Sequence, residues 1–278
     1  MDKLHLQKIA LEIRKGALTA VYTAASGHPG GSLGIAELLA YLYFEEMHVD
    51  PKNPKDPDRD RFVLSKGHTS PALYAALAEK GFFPKEDLKT FRQKDSYLQG
   101  HPDMKHIPGV DVSTGSLGQG ISAACGMALS GKISEKKYRV WTILGDGECE
   151  EGQVWEAAMF AAHYGLNNLC AFVDFNGLQI DGAVTEVMNP TPLDTKFAAF
   201  GWNTLVIDGH DFDQIASAVE AAKRSAKPTA VICKTTKGKG VSYMENVCAW
   251  HGSAPKTEQY EQGMRELEEA EKALLANV

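Results

Sequence analysis

The sequence lacks several features that would assign it to common functional classes. It has five cysteines, an odd number, with no C-x-x-C pair and no H-x₃-H, which argues against a disulfide framework or a zinc enzyme. It has no basic stripe and a net charge of −7, so we expect no nucleic-acid partner. No apolar run has the length or flanks of a signal or a membrane span. We therefore expect a soluble, cytoplasmic protein with reduced thiols and no membrane partner.

Apolar runs and amphipathic segments alternate along most of the chain. These patterns predict strands at 61–65, 138–144, 168–174, 202–207 and 229–234. They predict helices at 3–25, 34–46, 70–81, 118–131, 152–164, 194–200, 212–225 and 257–276. Strands that alternate with helices form βαβ units, so we expect an α/β fold with a doubly wound, mostly parallel sheet and helices on both faces. No linker or repeat interrupts the pattern, which favours a single domain over 1–278.

Polar residues follow several of the predicted strands. Asp146, Asn176 and His210 each come just after a strand end. Ligands of doubly wound sheets bind at the carboxyl ends of the strands. The irregular segment 94–119 is also unusually long for a loop inside a compact domain, and such loops are usually functional or disordered. The sequence thus predicts a ligand site at the carboxyl edge of the sheet.

The loop after the second predicted strand, "GDGECEEG", is rich in both glycine and carboxylates. Glycine-rich loops at strand ends are typical of phosphate sites, but carboxylates repel phosphate. A divalent cation between the two resolves the conflict, because Mg²⁺ takes oxygen ligands from carboxylates, amides, carbonyls and phosphates. Asp146 offers one ligand and Asn176, after the next strand, a second. Alternatively, Asp146 caps the following helix and Asn176 fills a turn.

Glycine–histidine pairs are more frequent than the composition explains. Four occur, where chance would give about one. Those of His28, His68 and His101 fall in predicted loops, two of them as Gly-His-Pro, and such histidines suit proton handling near neutral pH. The fourth, His210, precedes Asp211, a candidate helix N-cap, so we interpret it as structural.

Eight segments together resemble the transketolase family, in its amino-terminal, diphosphate-binding region. They are "SGHPGGSLG", "DRFVLSKGH", "GHPDM", "TGSLGQGISAACGMA", "GDGECEEGQVWEA", "DFNGLQIDG", "KTTKGKGVS" and "WHGSAPK". They occur in the family's order and cover almost the whole chain. The related deoxyxylulose-phosphate synthases share the metal motif, but "GHPGGSLG" and "TGSLGQG" are of the transketolase kind.

This resemblance implies a metal site, a cofactor site and a donor-sugar site. The ligands of Mg²⁺, or of Ca²⁺ or Mn²⁺ in its place, would be Asp146, Asn176 and the carbonyl of Leu178. Thiamine diphosphate would contact Lys66, Gly115, Ser116, Leu117, Gly145, Asp146, Gly147, Glu151, Asn176, Lys237 and His251. The sugar and its proton transfers would use His28, His68, His101 and His251. The alternative for both lysines is a solvated surface charge.

The resemblance also implies that this chain is one part of a larger enzyme. A family chain is more than twice as long and carries a pyrimidine-binding domain with the glutamate that protonates the cofactor and the arginines that grip the substrate phosphate. We expect these on a separate carboxy-terminal subunit of about 300 residues, the size of two ordinary domains. Glu151 would reach a carboxylate of that subunit, and two-fold pairing of cofactor sites would give an α₂β₂ heterotetramer.

The expected activity is ketol transfer from a ketose phosphate to an aldose phosphate, as in the pentose phosphate pathway, by a chain inactive without its partner. Three alternatives stay open. One is a non-catalytic thiamine-diphosphate-binding homologue. Another is a metal-dependent phosphohydrolase built on the acidic loop, for which the sequence offers no clear nucleophile or second metal site. The last is a split relative that acts on another ketose.

Overall fold

A five-stranded parallel sheet forms the centre of the computed structural model, which describes residues 1–276. The strands are β1 Arg61–Leu64, β2 Val140–Gly145, β3 Leu169–Phe175, β4 Asn203–Asp208 and β5 Thr229–Lys234. Their order across the sheet is β1-β2-β3-β5-β4, and every pair is parallel. The register pairs Gly145 with Asp174, and Phe175 with Lys234. The carboxyl ends of the three central strands therefore meet at one edge.

Ten α-helices connect and cover the strands within the described residues. They are α1 Lys3–Thr23, α2 Pro29–Leu33, α3 Ala36–Tyr41, α4 Ser70–Lys80, α5 Gln119–Ile133, α6 Gly152–His163, α7 Val184–Val187, α8 Leu193–Ala199, α9 Phe212–Arg224 and α10 Thr257–Ala276. A π-helical turn, Leu42–Glu46, continues α3. Short 3₁₀ turns are Gly67–Thr69, Lys85–Thr90, Gly147–Glu150 and Cys248–His251.

Helices lie on both faces of the sheet, as predicted. Successive strand side chains point to opposite faces. In β2, Trp141 and Ile143 join an apolar cluster with α1, α3, α4 and α9. Val140 and Leu144 join a second cluster with α5, α6 and α8. Because strands buried on both faces have no polar side, they appear in the sequence as continuous apolar runs.

The two short helices before the first strand differ from the prediction. The predicted helix 34–46 is α3 followed by the π-helical turn, and the preceding glycine-rich segment contains the additional helix α2. Pro29 occupies the first turn of α2, where its missing N–H costs nothing. A Cβ on Gly30 would lie only 2.8 Å from the carbonyl oxygen of Trp250, so glycine permits α2 to pack this closely.

The remaining predicted elements agree with the structure to within a few residues. Gly81 ends α4 with φ +97°, and the Asp211 carboxylate caps α9 by accepting the N–H groups of Asp213 and Gln214. No helix or strand lies between Thr90 and Gln119, so the long irregular segment is confirmed. Among residues 1–276, no helix is long and apolar enough to cross a membrane.

Candidate active site

A cavity of about 250 Å³ opens at the carboxyl edge of the sheet. Twelve residues singled out from the sequence line it: His28, Lys66, His68, Gly115, Leu117, Gly145, Asp146, Gly147, Asn176, Leu178, Lys237 and His251. Five further residues line the cavity that were not assigned a site role from the sequence: Gly31, Glu148, Asp174, Gln179 and Ile180. The fold thus brings widely separated segments of the chain to one cavity.

Three of the residues that the resemblance assigns to a site do not line the cavity. Ser116 and Glu151 are exposed on the protein surface, Glu151 immediately before α6. His101 is also exposed, and a Cβ on Gly115 would lie 3.2 Å from its ring. His101 therefore flanks the cavity next to the loop that carries Gly115.

Three oxygen-bearing groups that could bind a metal ion, on Asp146, Asn176 and Leu178, lie together at one corner of the cavity. The Asp146 carboxylate accepts the N–H groups of Gly147 at 2.8 Å and Gly177 at 2.6 Å. Asn176 accepts the Leu178 N–H at 3.1 Å through its amide oxygen. Across residues 1–276, no group of three or more His, Cys, Asp or Glu side chains is arranged to hold a metal. The corner instead combines one carboxylate, one amide and one backbone carbonyl, all hard oxygen donors of the kind that Mg²⁺ takes.

The charge of Asp146 is poorly compensated. Burial and the nearby carboxylate of Asp174 raise the pKa of Asp146 to about 7, against hydrogen bonds from Gly177 and Gly147 that lower it. A divalent cation at this corner would remove that penalty, because it supplies the positive charge that the buried carboxylate lacks. The donor set and its electrostatics therefore both fit a cation.

Two buried lysines stand beside this corner. Lys66 is 2% exposed and its ammonium group lies 2.5 Å from an Asp174 oxygen. Lys237, also 2% exposed, donates to the Leu178 carbonyl at 3.0 Å and to Nδ1 of His251 at 2.9 Å. The interpretation of these lysines as solvated surface charges is therefore wrong. Burial lowers the pKa of Lys237.

Asp174 organises the floor of the cavity. Besides Lys66, it accepts hydrogen bonds from the Thr235 hydroxyl and from the Asn176 amide, the latter at 2.9 Å. The Asn176 amide nitrogen is thereby bound, which leaves its oxygen on the side of Leu178. Asp174 was missed in the sequence, although an aspartate inside the otherwise apolar strand "LCAFVDF" was a signal.

One carboxylate of the acidic loop has a structural function. Glu148 is 2% exposed and accepts the N–H groups of Gly118 at 2.9 Å and Gly145 at 3.0 Å, together with the Ser65 hydroxyl. It thus joins the ends of β1 and β2 to the start of α5. Nothing in the local sequence distinguishes buried Glu148 from exposed Glu151. The reason is that two partners of Glu148, Ser65 and Gly118, are distant in the chain.

Three histidine rings lie close together in the lining of the cavity. The ring centroids of His28 and His68 are 5.1 Å apart, those of His28 and His251 5.4 Å, and those of His68 and His251 5.2 Å. Burial, followed by nearby positive charge, lowers the pKa of His28 to about 4 and that of His251 to about 3. The pKa of His68 is also well below its usual value, mainly through burial. All three rings are therefore neutral near pH 7, and each has one donor and one acceptor nitrogen.

These features define the class of protein to which the chain belongs. Residues 6–271 match the family model described as transketolase, thiamine diphosphate binding domain. The chain is a member of the transketolase family.

Two of the relatives match this chain over nearly the whole length of both sequences. The 6-deoxy-6-sulfo-D-fructose transketolase subunit SqwG of Clostridium sp. (strain MSTE9) is 49% identical over 96% of this chain and 98% of its own length. An apulose-4-phosphate transketolase subunit of Phocaeicola vulgatus is 43% identical over 92% of this chain and 91% of its own. Both names designate subunits.

Part of the solved transketolase of Campylobacter jejuni has the same fold as this chain. It superposes with a TM-score of 0.91 at 35% identity, covering 96% of this chain but 43% of its own. This chain therefore spans less than half the length of that transketolase.

Proposed function

We propose that this chain is the amino-terminal, diphosphate-binding subunit of a two-chain transketolase. The observation that carries the proposal is the convergence of Asp146, Asn176, the Leu178 carbonyl and Lys237 on one corner of the cavity. The first three would hold Mg²⁺, or Ca²⁺ or Mn²⁺, against the diphosphate of thiamine diphosphate. Lys237 would add a positive charge beside it. When bound, the cofactor supplies the electron sink for breaking a carbon–carbon bond of a ketose.

We assign binding of the sugar and movement of its protons to the histidines. The neutral rings of His28, His68 and His251 can each accept a hydrogen bond from one hydroxyl and donate one to another. Within the described residues, the Nδ1 atom of His28 is buried without a hydrogen-bond partner, so a ligand hydroxyl would satisfy it. His101 would act from the rim. Gly115, Ser116 and Leu117 would contact the cofactor rings.

The rest of the enzyme would come from a partner. We propose a carboxy-terminal subunit of about 300 residues with the pyrimidine-binding domain, assembled with this chain as an α₂β₂ heterotetramer. The subunit names of the two full-length relatives support this division. Exposed Glu151, before α6, would contact the partner. We place the assembly in the cytoplasm, with a ketose phosphate as donor and an aldose phosphate as acceptor, as in the pentose phosphate pathway.

A second donor class is favoured by the same relatives. Their names specify a sulfonated sugar and a sugar phosphate, 6-deoxy-6-sulfo-D-fructose and apulose 4-phosphate. The cavity of this chain would contact the two-carbon end that all ketoses share, whereas the far end of the sugar would lie against the partner. An unusual ketose with an anionic terminus is therefore the alternative donor.

The test is the native mass and subunit composition of the protein isolated gently from its own source. We expect a second chain of similar size and bound thiamine diphosphate. The pure chain should bind thiamine diphosphate in the presence of Mg²⁺ and catalyse no ketol transfer alone. A homo-oligomer without a partner would favour the non-catalytic homologue, and a specific transfer rate from the pure chain would contradict the two-chain proposal.

A further inference from the structure

A buried polar network lies behind the cavity and connects four distant parts of the chain. Arg14 of α1 donates through Nη2 to both carboxylate oxygens of Glu37, at 2.7 and 2.6 Å. A Glu37 oxygen lies 3.0 Å from Nδ1 of His210, after β4. Nε2 of His210 accepts the backbone N–H of Thr236, after β5, at 2.9 Å. Arg14 and Glu37 are 4% and 7% exposed, so solvent does not replace these bonds.

The hydrogen bonds fix the tautomer of His210. A backbone N–H can only donate, so Nε2 of His210 must be the unprotonated nitrogen. Nδ1 then carries the proton and donates it to the Glu37 carboxylate. Although burial opposes it, the Arg14 charge and the bond from His210 hold the pKa of Glu37 at about 2. The ionised Glu37 thereby keeps His210 in the form that accepts from Thr236.

The network ends at the residue that precedes Lys237. The loop that carries Lys237 is also bound on either side, by the Thr235 hydroxyl to Asp174 and by the Gly238 N–H to the Gly30 carbonyl at 2.8 Å. Arg14 additionally donates through Nε to the Leu33 carbonyl at 3.1 Å, at the end of the helix that follows His28. The network therefore connects to two of the segments that deliver cationic or proton-carrying groups to the cavity, those of Lys237 and His28.

We infer that His210, oriented by Glu37 and Arg14, is a positioning residue that holds the Lys237 ammonium group at the Leu178 carbonyl before a diphosphate binds. The inference rests on the proposed cofactor site. Its physical basis is preorganisation, because a lysine already fixed at the ligand position loses little conformational entropy when the anion arrives. The sequence suggested only that His210 was structural.

The experiment compares cofactor affinity in variants of the full chain. Mg²⁺-dependent binding of thiamine diphosphate is measured by isothermal titration calorimetry, with thermal unfolding recorded for each variant. His210→Phe keeps a ring of similar size but removes both hydrogen bonds. His210→Gln restores them, since an amide holds a donor and an acceptor at a spacing similar to that of an imidazole. Arg59→Met is the control, because it breaks another largely buried ion pair, Arg59–Asp111, whose residues do not line the cavity.

We expect His210→Phe to weaken the affinity about tenfold, the effect of roughly one lost hydrogen bond to a charged group. His210→Gln should regain most of this loss, and Arg59→Met should lower the unfolding temperature without a comparable loss of affinity. Wild-type affinity in a folded His210→Phe variant would overturn the inference alone. An equal loss in Arg59→Met would also overturn it, since the effect would follow stability. A wild-type chain that binds no thiamine diphosphate would overturn both the cofactor site and this inference.

Discussion

Buried carboxylates at the two ends of the sheet differ in how they are paired. At the amino end, Asp60 accepts the N–H groups of His48 at 2.9 Å and Arg139 at 2.7 Å. Asp111 accepts the Phe62 N–H at 2.8 Å and pairs with the Arg59 guanidinium. Both carboxylates fasten strand ends to neighbouring loops, and Asp111 has a cation of its own.

At the carboxyl end, the carboxylate of Asp146 has two N–H partners, but no residue among 1–276 forms an ion pair with it. Lys66 pairs with Asp174 instead, and Lys237 donates to a carbonyl and a neutral histidine. Buried charge that the protein itself leaves uncompensated is typical of a site that awaits a ligand. Asp111 and Asp146 therefore differ in whether a cation of the described chain neutralises the carboxylate. Substitutions that remove the charge at each end test this difference.

The largest effect is expected from Asp146→Asn. Loss of the only carboxylate among the proposed metal ligands should weaken Mg²⁺-dependent thiamine diphosphate binding by about a hundredfold or more. The unfolding free energy should fall by about 1–2 kcal/mol, because asparagine keeps only one acceptor oxygen for the two N–H groups, while burial already disfavours the charge removed. Titration calorimetry and urea unfolding measure the two quantities.

Asp111→Asn is the matched substitution at the amino end. It leaves the Arg59 charge without its partner and should cost about 2–4 kcal/mol of unfolding free energy while cofactor affinity stays near wild type. If instead both variants lost affinity and stability in proportion, the contrast between the two ends would be wrong.

An effect on stability of similar size is expected at Asp174. Asp174→Asn leaves Lys66 buried without a counter-ion and should lower the unfolding free energy by about 3 kcal/mol. The double variant Lys66→Met, Asp174→Asn should recover most of that stability, because both charges are gone, but not the cofactor affinity. Urea unfolding with calorimetric titration checks both. Full recovery of affinity in the double variant would show that the pair serves stability only.

The smallest effect concerns pH. His28 has a pKa of about 4 in the folded chain against 6.5 ordinarily. Between these values the unfolded chain binds a proton that the folded chain excludes, so the unfolding free energy should fall as the pH drops through this window. His28→Gln should flatten the decline measured by urea unfolding, whereas His163→Gln, at an exposed histidine, should not. If His28→Gln left the pH dependence of the unfolding free energy unchanged, the His28 ring would not be held neutral in the folded chain.

The sequence predicted the elements of the fold well, and the site in part. Asp146, Asn176 and Lys237 were recognisable because each follows a strand or occupies a glycine-rich loop, which are local features. The burial of Lys66 was not recognisable, since its partner Asp174 is 108 residues away. The burial of Glu148 was not recognisable either, because it accepts hydrogen bonds from Ser65 and Gly118, which are distant in the chain.

The sequence by itself determined an α/β fold with parallel strands, their approximate bounds and the family, because periodicity and motifs are local properties of the chain. Only the tertiary structure decided which charges are paired, which histidine rings meet and how His210 connects Glu37 to the loop of Lys237. Those contacts depend on the strand order β1-β2-β3-β5-β4, which brings residues a hundred or more positions apart to one edge of the sheet. Burial at that edge then sets the protonation of each group.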